Sequence, residues 1–175
     1  PARTVPSLTD WIAPPQLCKG TLGPGLQHAS YLVRLASAQL LMLILARVQA
    51  ASHALLATSA GLDAARAREV QGDTAGAAAA ATSAVWRDSA ARLKRAVRAR
   101  LPDFQVLVAA RQHAAARAAP GGGRKEASTG DAEGGAEGEG EEVGDPAAQA
   151  QLLLPRLLQV LGQYITLFPE CLAVS

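Results

Sequence analysis

Apolar residues are distributed at helical spacing along most of this chain, and one stretch dominates. From Leu32 to Val48 the period is that of a helix, and Leu40 to Ala46 runs apolar without a break. No side of a helix there suits water, so the pattern predicts a central helix covered by neighbours on more than one side. Ser30 stands where a helix N-cap belongs, which sets the start of this element. Before it, Leu17, Leu22 and Leu26 form a short stripe interrupted by Gly20, Gly23, Pro24 and Gly25. That stripe predicts a weak first helix opening at Pro14-Pro15 and folding back on the long one. Pro1 to Ala13 reads as an extended lead-in, docked through Leu8, Trp11 and Ile12.

After Leu56 large apolar residues thin out and Gly61, Gly72 and Gly76 appear, which reads as a partly helical insertion. Helical spacing resumes near Ala79 with Val85, Trp86, Leu93 and Val97, and Pro102 ends it. Asp103 is placed to cap a further helix, Phe104 to Ala116, anchored by Phe104, Val106, Leu107 and Val108. A last helix, Ala147 to Leu167, carries Leu152, Leu153, Leu157, Leu158, Leu161, Ile165 and then Phe168; Pro155 is expected to kink or restart it. The organisation that follows is a single all-helical fragment. It has a first helix pair at 14–57, an insertion at 58–78, a second pair at 79–117, a linker at 118–146 and a final helix at 147–169. Such a succession fits an all-α, HEAT/armadillo-like α-solenoid segment of stacked antiparallel helix pairs with two low-order insertions. A free-standing four- or five-helix bundle remains the other architecture.

Composition supports helices: alanine and leucine dominate and aromatics make up 3%. Arg34 and Arg47 bracket only twelve residues, fewer than the about 20 that span a bilayer. No charged-then-apolar leader opens the chain, and with Cys18 and Cys171 far apart a reduced intracellular compartment is expected. The start at Pro1 and the uncapped end at Ser175 predict a piece of a longer protein.

The net charge of +2 conceals an asymmetry. Residues 121–146 hold eight acidic and two basic residues, leaving fifteen basic against seven acidic elsewhere. The acidic stretch is Gly-rich and nearly free of apolar side chains, a composition expected to stay disordered. A basic body fits work near nucleic acid. Its densest part is RLKRAVRAR, where Arg92, Lys94, Arg95, Arg98 and Arg100 are candidates for contact with RNA or a protein partner. The bland reading is a solvated helix end whose cations favour the helix dipole. Enzymatic chemistry has no visible carrier: His28, His53 and His113 are scattered, neither cysteine has a CxxC neighbour, and no glycine cluster has phosphate-loop context. No cofactor, metal or small-molecule substrate is expected.

Three segments in order carry a resemblance: residues 17–45, residues 100–112 (RLPDFQVLVAARQ) and residues 153–175. Gly25, Leu26, Gln27, His28, Leu32, Val33 and Arg34 carry it in the first. Leu101, Pro102, Asp103, Gln105 and Leu107 carry it in the second, and Tyr164, Pro169 and Ser175 in the third. Together they resemble the N-terminal domain of the large nucleolar pre-ribosomal-associated protein family, the "unhealthy ribosome biogenesis" scaffolds. The resemblance covers about half the chain, and Gly23-Pro24 departs from the family's lysine-containing approach to the first helix. It implies a non-catalytic solenoid scaffold in nucleolar assembly of the large (60S) subunit. The implied partners are pre-ribosomal RNA, small nucleolar RNPs, helicases and other assembly factors, with no membrane. His28 and Arg34 would then order a turn between helices. The competing expectation is a HEAT-like protein–protein adaptor of a trafficking or chromatin complex.

Overall fold

A computed structural model describes residues 4–17, 19–69, 75–119 and 145–172. Among them are six α-helices, two short 3-10 turns and no strand. In chain order these are α1 (Thr4–Ile12), a 3-10 turn (Pro15–Leu17), α2 (Lys19–Leu26), α3 (Tyr31–Glu69), α4 (Ala75–Arg100), α5 (Phe104–Ala118), α6 (Pro146–Leu167) and a closing 3-10 turn (Pro169–Leu172). Residues 70–74 and the acidic stretch 120–144 lie outside the described residues, as do Cys18 and Ser175.

The long helix is the axis of the fold. Its inward positions Arg34, Ala38, Leu41, Leu45, Val48, Ser52, Leu55 and Ser59 alternate by four and three residues, the first six and Ser59 being fully buried. A 3.5-residue mean period is that of helices packed side by side at a shallow angle. α4 answers with Ser83, Trp86, Ala90, Leu93 and Val97, and α6 with Ala150, Leu153, Leu157, Val160, Tyr164 and Leu167, at the same alternation. α3 packs along α4 and also against α6 and α2, while α5 pairs with α6. A buried hydrogen bond between the Ser59 and Ser83 hydroxyls, 3.0 Å long, fixes the register of the α3–α4 hairpin. Counting antiparallel from it sets Ser52 level with Ala90 and Leu45 level with Val97.

Several expectations are corrected here. The helix does not loosen after Leu56 but continues to Glu69, and α4 begins at Ala75. Alanine is the best helix former, and serine and alanine fill this part of the seam without the large side chains that announce a buried face. The short helix α2 does pack on α3, as expected for 14–57, but the main partner of α3 is α4, and α5 pairs with α6 in place of the pair at 79–117. The lead-in is helical, with Ile12 and Ala13 buried and Trp11 facing solvent. Pro6 sits in the first turn of α1, where no N–H is required. Pro155 does not interrupt α6, because it lies on an exposed position of a helix held by six buried residues. Val85, Leu152 and Leu158, expected inside, are exposed.

Helix ends follow local chemistry in part. The Asp145 carboxylate accepts from Ala147 N–H at 3.0 Å, with Pro146 opening α6. The Ser30 carbonyl accepts from Arg34 N–H at 3.2 Å, while the Ser30 N–H donates to His28 Nδ1 at 3.0 Å, so His28 orders the turn into α3. Asp103 precedes α5 with extended backbone but makes no side-chain cap. Its carboxylate is turned instead to Lys19 Nζ, 2.6 Å away.

Candidate functional site

The basic run lies on the last two turns of α4, where Leu93 and Val97 face α3 and are fully buried. Helical geometry then distributes the five cations around the rest of the circumference, and the structure gives them different tasks. Arg98 Nη1 meets Glu170 Oε1 at 2.6 Å, tying the closing turn to α4. Glu170 is held below the usual carboxylate range, first by a hydrogen bond from its own backbone and then, against the effect of burial, by Arg98 and the nearby Lys94 charge. Arg98 in turn holds its proton more firmly because of that carboxylate. Arg100 Nη2 meets Asp10 Oδ1 at 2.6 Å while its Nη1 donates to the Ala13 carbonyl at 2.8 Å, which pins the end of α1.

Arg92 and Arg95 are exposed. Arg92 Nε contacts Asp88 Oδ2 one turn back at 2.7 Å, and Arg95 Nε reaches only the Ala91 carbonyl at 3.5 Å. Lys94 is half-buried between these two faces. The run is therefore not one cationic face. Arg98 and Arg100 tie distant elements to α4, Arg92 pairs with Asp88 on its own helix, and Lys94 and Arg95 are in no ion pair among the described residues.

The three resembling segments converge just beyond the same end of α4, next to the basic run. Pro102 is buried and its carbonyl accepts from the Tyr164 hydroxyl at 3.3 Å. Tyr164 packs between Phe104 (ring centroids 5.9 Å apart) and Phe168 (5.0 Å, edge-on). Burial pushes its phenol above the usual value, opposed by Arg98. Lys19 joins the first segment to this corner through Asp103. Gly25 lies so close to α3 that a Cβ there would strike the Ser37 hydroxyl. Leu26, Leu101 and Leu107 are buried, whereas Leu32 and Val33 face outward. Most of the motif positions thus build a corner of the fold rather than line a cleft.

Among the described residues no three His, Cys, Asp or Glu side chains gather to hold a metal ion. His28, His53 and His113 are all exposed, and Cys171 is a half-buried free thiol. The wide apolar face of α3, expected to be covered by neighbours, is covered only in part: Leu32, Leu40 and Leu43 are exposed. The sign of this open part was the surplus of apolar residues beyond one seam. By length and composition alone, Tyr31–Ala67 is also apolar and long enough to cross a bilayer, a test that core helices of soluble proteins pass as well. No protein-family model, curated protein or solved structure matches the chain.

Proposed function

We propose that this chain is a non-catalytic helical scaffold for early nucleolar assembly of the large ribosomal subunit, binding pre-ribosomal RNA and assembly factors. In this reading the α3–α4 and α5–α6 pairs are units of a HEAT-like solenoid. The observation that carries it is the convergence of the three resembling segments through Lys19–Asp103 and Tyr164–Pro102. Segments far apart in sequence serve one structural corner, as expected if they are parts of one domain pattern rather than chance matches. Lys94 and Arg95 are the first phosphate-facing cations of this reading, joined by Arg92 when it leaves Asp88 on its own helix, since Arg98 and Arg100 tie distant parts of the chain together.

The test is a tagged pull-down from cells with the associated RNA sequenced and the proteins identified. Enrichment of large-subunit precursor RNA with nucleolar assembly factors supports the scaffold. Recovery of vesicle-coat or chromatin proteins without ribosomal precursor refutes it and leaves the adaptor reading. In vitro, RNA binding through about three phosphate contacts to single strands predicts a log–log salt slope near −2, reduced by Arg92→Glu with Arg95→Glu.

A further inference from the structure

The basic run from Arg92 to Arg100 contains no aromatic side chain, yet the fold brings one beside its end. Trp11, on the last turn of α1, is 66% exposed. Its neighbour Asp10 is bound by Arg100, which also holds the Ala13 carbonyl, so the chain is pinned to α4 on both sides of Trp11. Arg47 of α3 lies over the ring, 5.1 Å from its centroid. Among the described residues this exposed guanidinium has no carboxylate partner and no hydrogen-bond acceptor, which leaves its N–H groups to solvent. α3 carries no carboxylate from Tyr31 to Leu62, and Asp10 is already paired with Arg100. A fixed, open indole beside uncompensated positive charge can take a base by stacking and a phosphate by charge. Arg95 and Lys94 stand five and six residues before Arg100 on the same helix, within about 9 Å along its axis. A polyanion passing Trp11 therefore has further cations within reach.

We propose that Trp11 and Arg47 hold one step of a single-stranded RNA, with a base stacked on the open face of the indole and a neighbouring phosphate on the guanidinium. Resting on the RNA-binding reading of the chain, the site adds the form of RNA bound. Bases in a duplex are stacked on one another, so only an unpaired base reaches the ring. Stacking is tolerant of sequence because every base has a π-face, and the site selects single strands rather than a motif. The planar fork of Arg47 offers paired N–H groups to phosphate oxygens, a charge-assisted contact that an uncharged ligand does not make. Arg100 becomes a positioning residue: its guanidinium is engaged by Asp10 and Ala13, and it fixes the turn that carries Trp11.

Trp86→Phe leaves Trp11 as the sole tryptophan of the whole chain. A single-stranded RNA of about twelve nucleotides is expected to quench its fluorescence, and a duplex of the same length to leave it unchanged. In the otherwise unaltered chain, Trp11→Ala is expected to weaken binding of that strand about five- to hundredfold with the same salt dependence, and Trp11→Phe to restore most of it. Arg47→Ala is expected to lower the log–log salt slope by about 0.7, the share of one single-strand phosphate. Circular dichroism of each variant separates lost contact from lost folding, and the quenching needs no change at Trp11. RNA bound equally by wild type and Trp11→Ala, without quenching, would overturn this site and leave the scaffold reading standing. No RNA bound by wild type up to about 100 μM would remove both. Adenosine monophosphate binding as tightly as the strand would overturn the single-strand site in favour of a nucleotide site. A blue shift of Trp11 with phosphatidylcholine vesicles and no quenching by RNA would overturn it in favour of a lipid surface.

Discussion

Truncating leucines at two positions of α3 separates its covered and uncovered sides. Leu45 is 0% exposed, in a stretch flanked by α4 and α6, whereas Leu32 is 71% exposed. Leu45→Ala removes three buried carbons, about 2.4 kcal/mol at about 0.8 kcal/mol per group. The helices on either side limit collapse around the hole, and the cavity raises the expected loss to about 3–5 kcal/mol. Leu32→Ala forfeits only the covered fraction of its side chain, so the expected loss is below about 1 kcal/mol by the same accounting. Urea unfolding followed by far-ultraviolet circular dichroism measures both. With a slope of about 2 kcal/mol per molar, the midpoint falls by about 1.5–2.5 M for Leu45→Ala and by less than about 0.5 M for Leu32→Ala. Low chain concentration keeps self-association out of the comparison. Equal shifts for the two variants would refute the assignment of buried and open sides.

Gly25→Ala is expected to destabilise by about 1–3 kcal/mol through overpacking against Ser37, and Ser37→Ala in the same chain to restore most of the loss, both read from thermal unfolding. Tyr164→Phe leaves the buried Pro102 carbonyl without its donor, an expected loss of about 1–2 kcal/mol by chemical denaturation. With its folded-state pKa raised above the unfolded value of 10.0, Tyr164 contributes stability that is complete below pH 10.0 and lost as pH rises through the folded value; alkaline unfolding of wild type against Tyr164→Phe measures it. Glu170, lowered from 4.5, contributes stability that is present above that pH and lost as pH falls through the folded value. Its pair with Arg98 is mostly solvent-facing, so a double-mutant cycle with Arg98→Ala and Glu170→Ala should give a coupling below about 1 kcal/mol. Pro155→Ala restores an N–H to the α6 interior and is expected to raise stability by about 1–3 kcal/mol in a melting experiment, its upper limit being the helix penalty of proline.

Legibility in the sequence followed the size of the side chains. Leucines at 41, 45, 93, 153 and 157 announced their helices, and all are buried. The run from Thr58 to Glu69 was misread because its seam is made of small residues: Ser59 is as buried as the leucines but carries no hydropathic signal. Local rules failed where a distant partner competed. Asp103 had a cap position and Lys19 took its carboxylate, a contact spanning more than eighty residues that no pattern near Asp103 encodes. The separate tasks of the basic run were illegible for the same reason. Five cations in nine residues resemble a single surface, but Asp10 and Glu170, at opposite ends of the chain, claim two of them. The wide apolar face of α3 was evident, yet whether the fold would cover all of it depended on how many helices reach that side.

The hairpin of α3 and α4 gives the molecule mechanical reach. At 1.5 Å per residue α3 is about 58 Å long. Beyond Ser52, Ser59 is the only fully buried position on α3 among the described residues, so the distal arm is sparsely anchored. The arm from Ser52 to Glu69 is a lever about 26 Å long, and a tilt of about 10° at its root displaces the far end by about 4–5 Å. Its stiffness rests on one polar latch, Ser59 to Ser83, reinforced by Arg87, which donates to Ser83 at 3.0 Å and lies 3.6 Å from Asp63. Pulling the two helices of the hairpin apart would therefore meet polar resistance at this one cluster of Ser59, Ser83, Arg87 and Asp63.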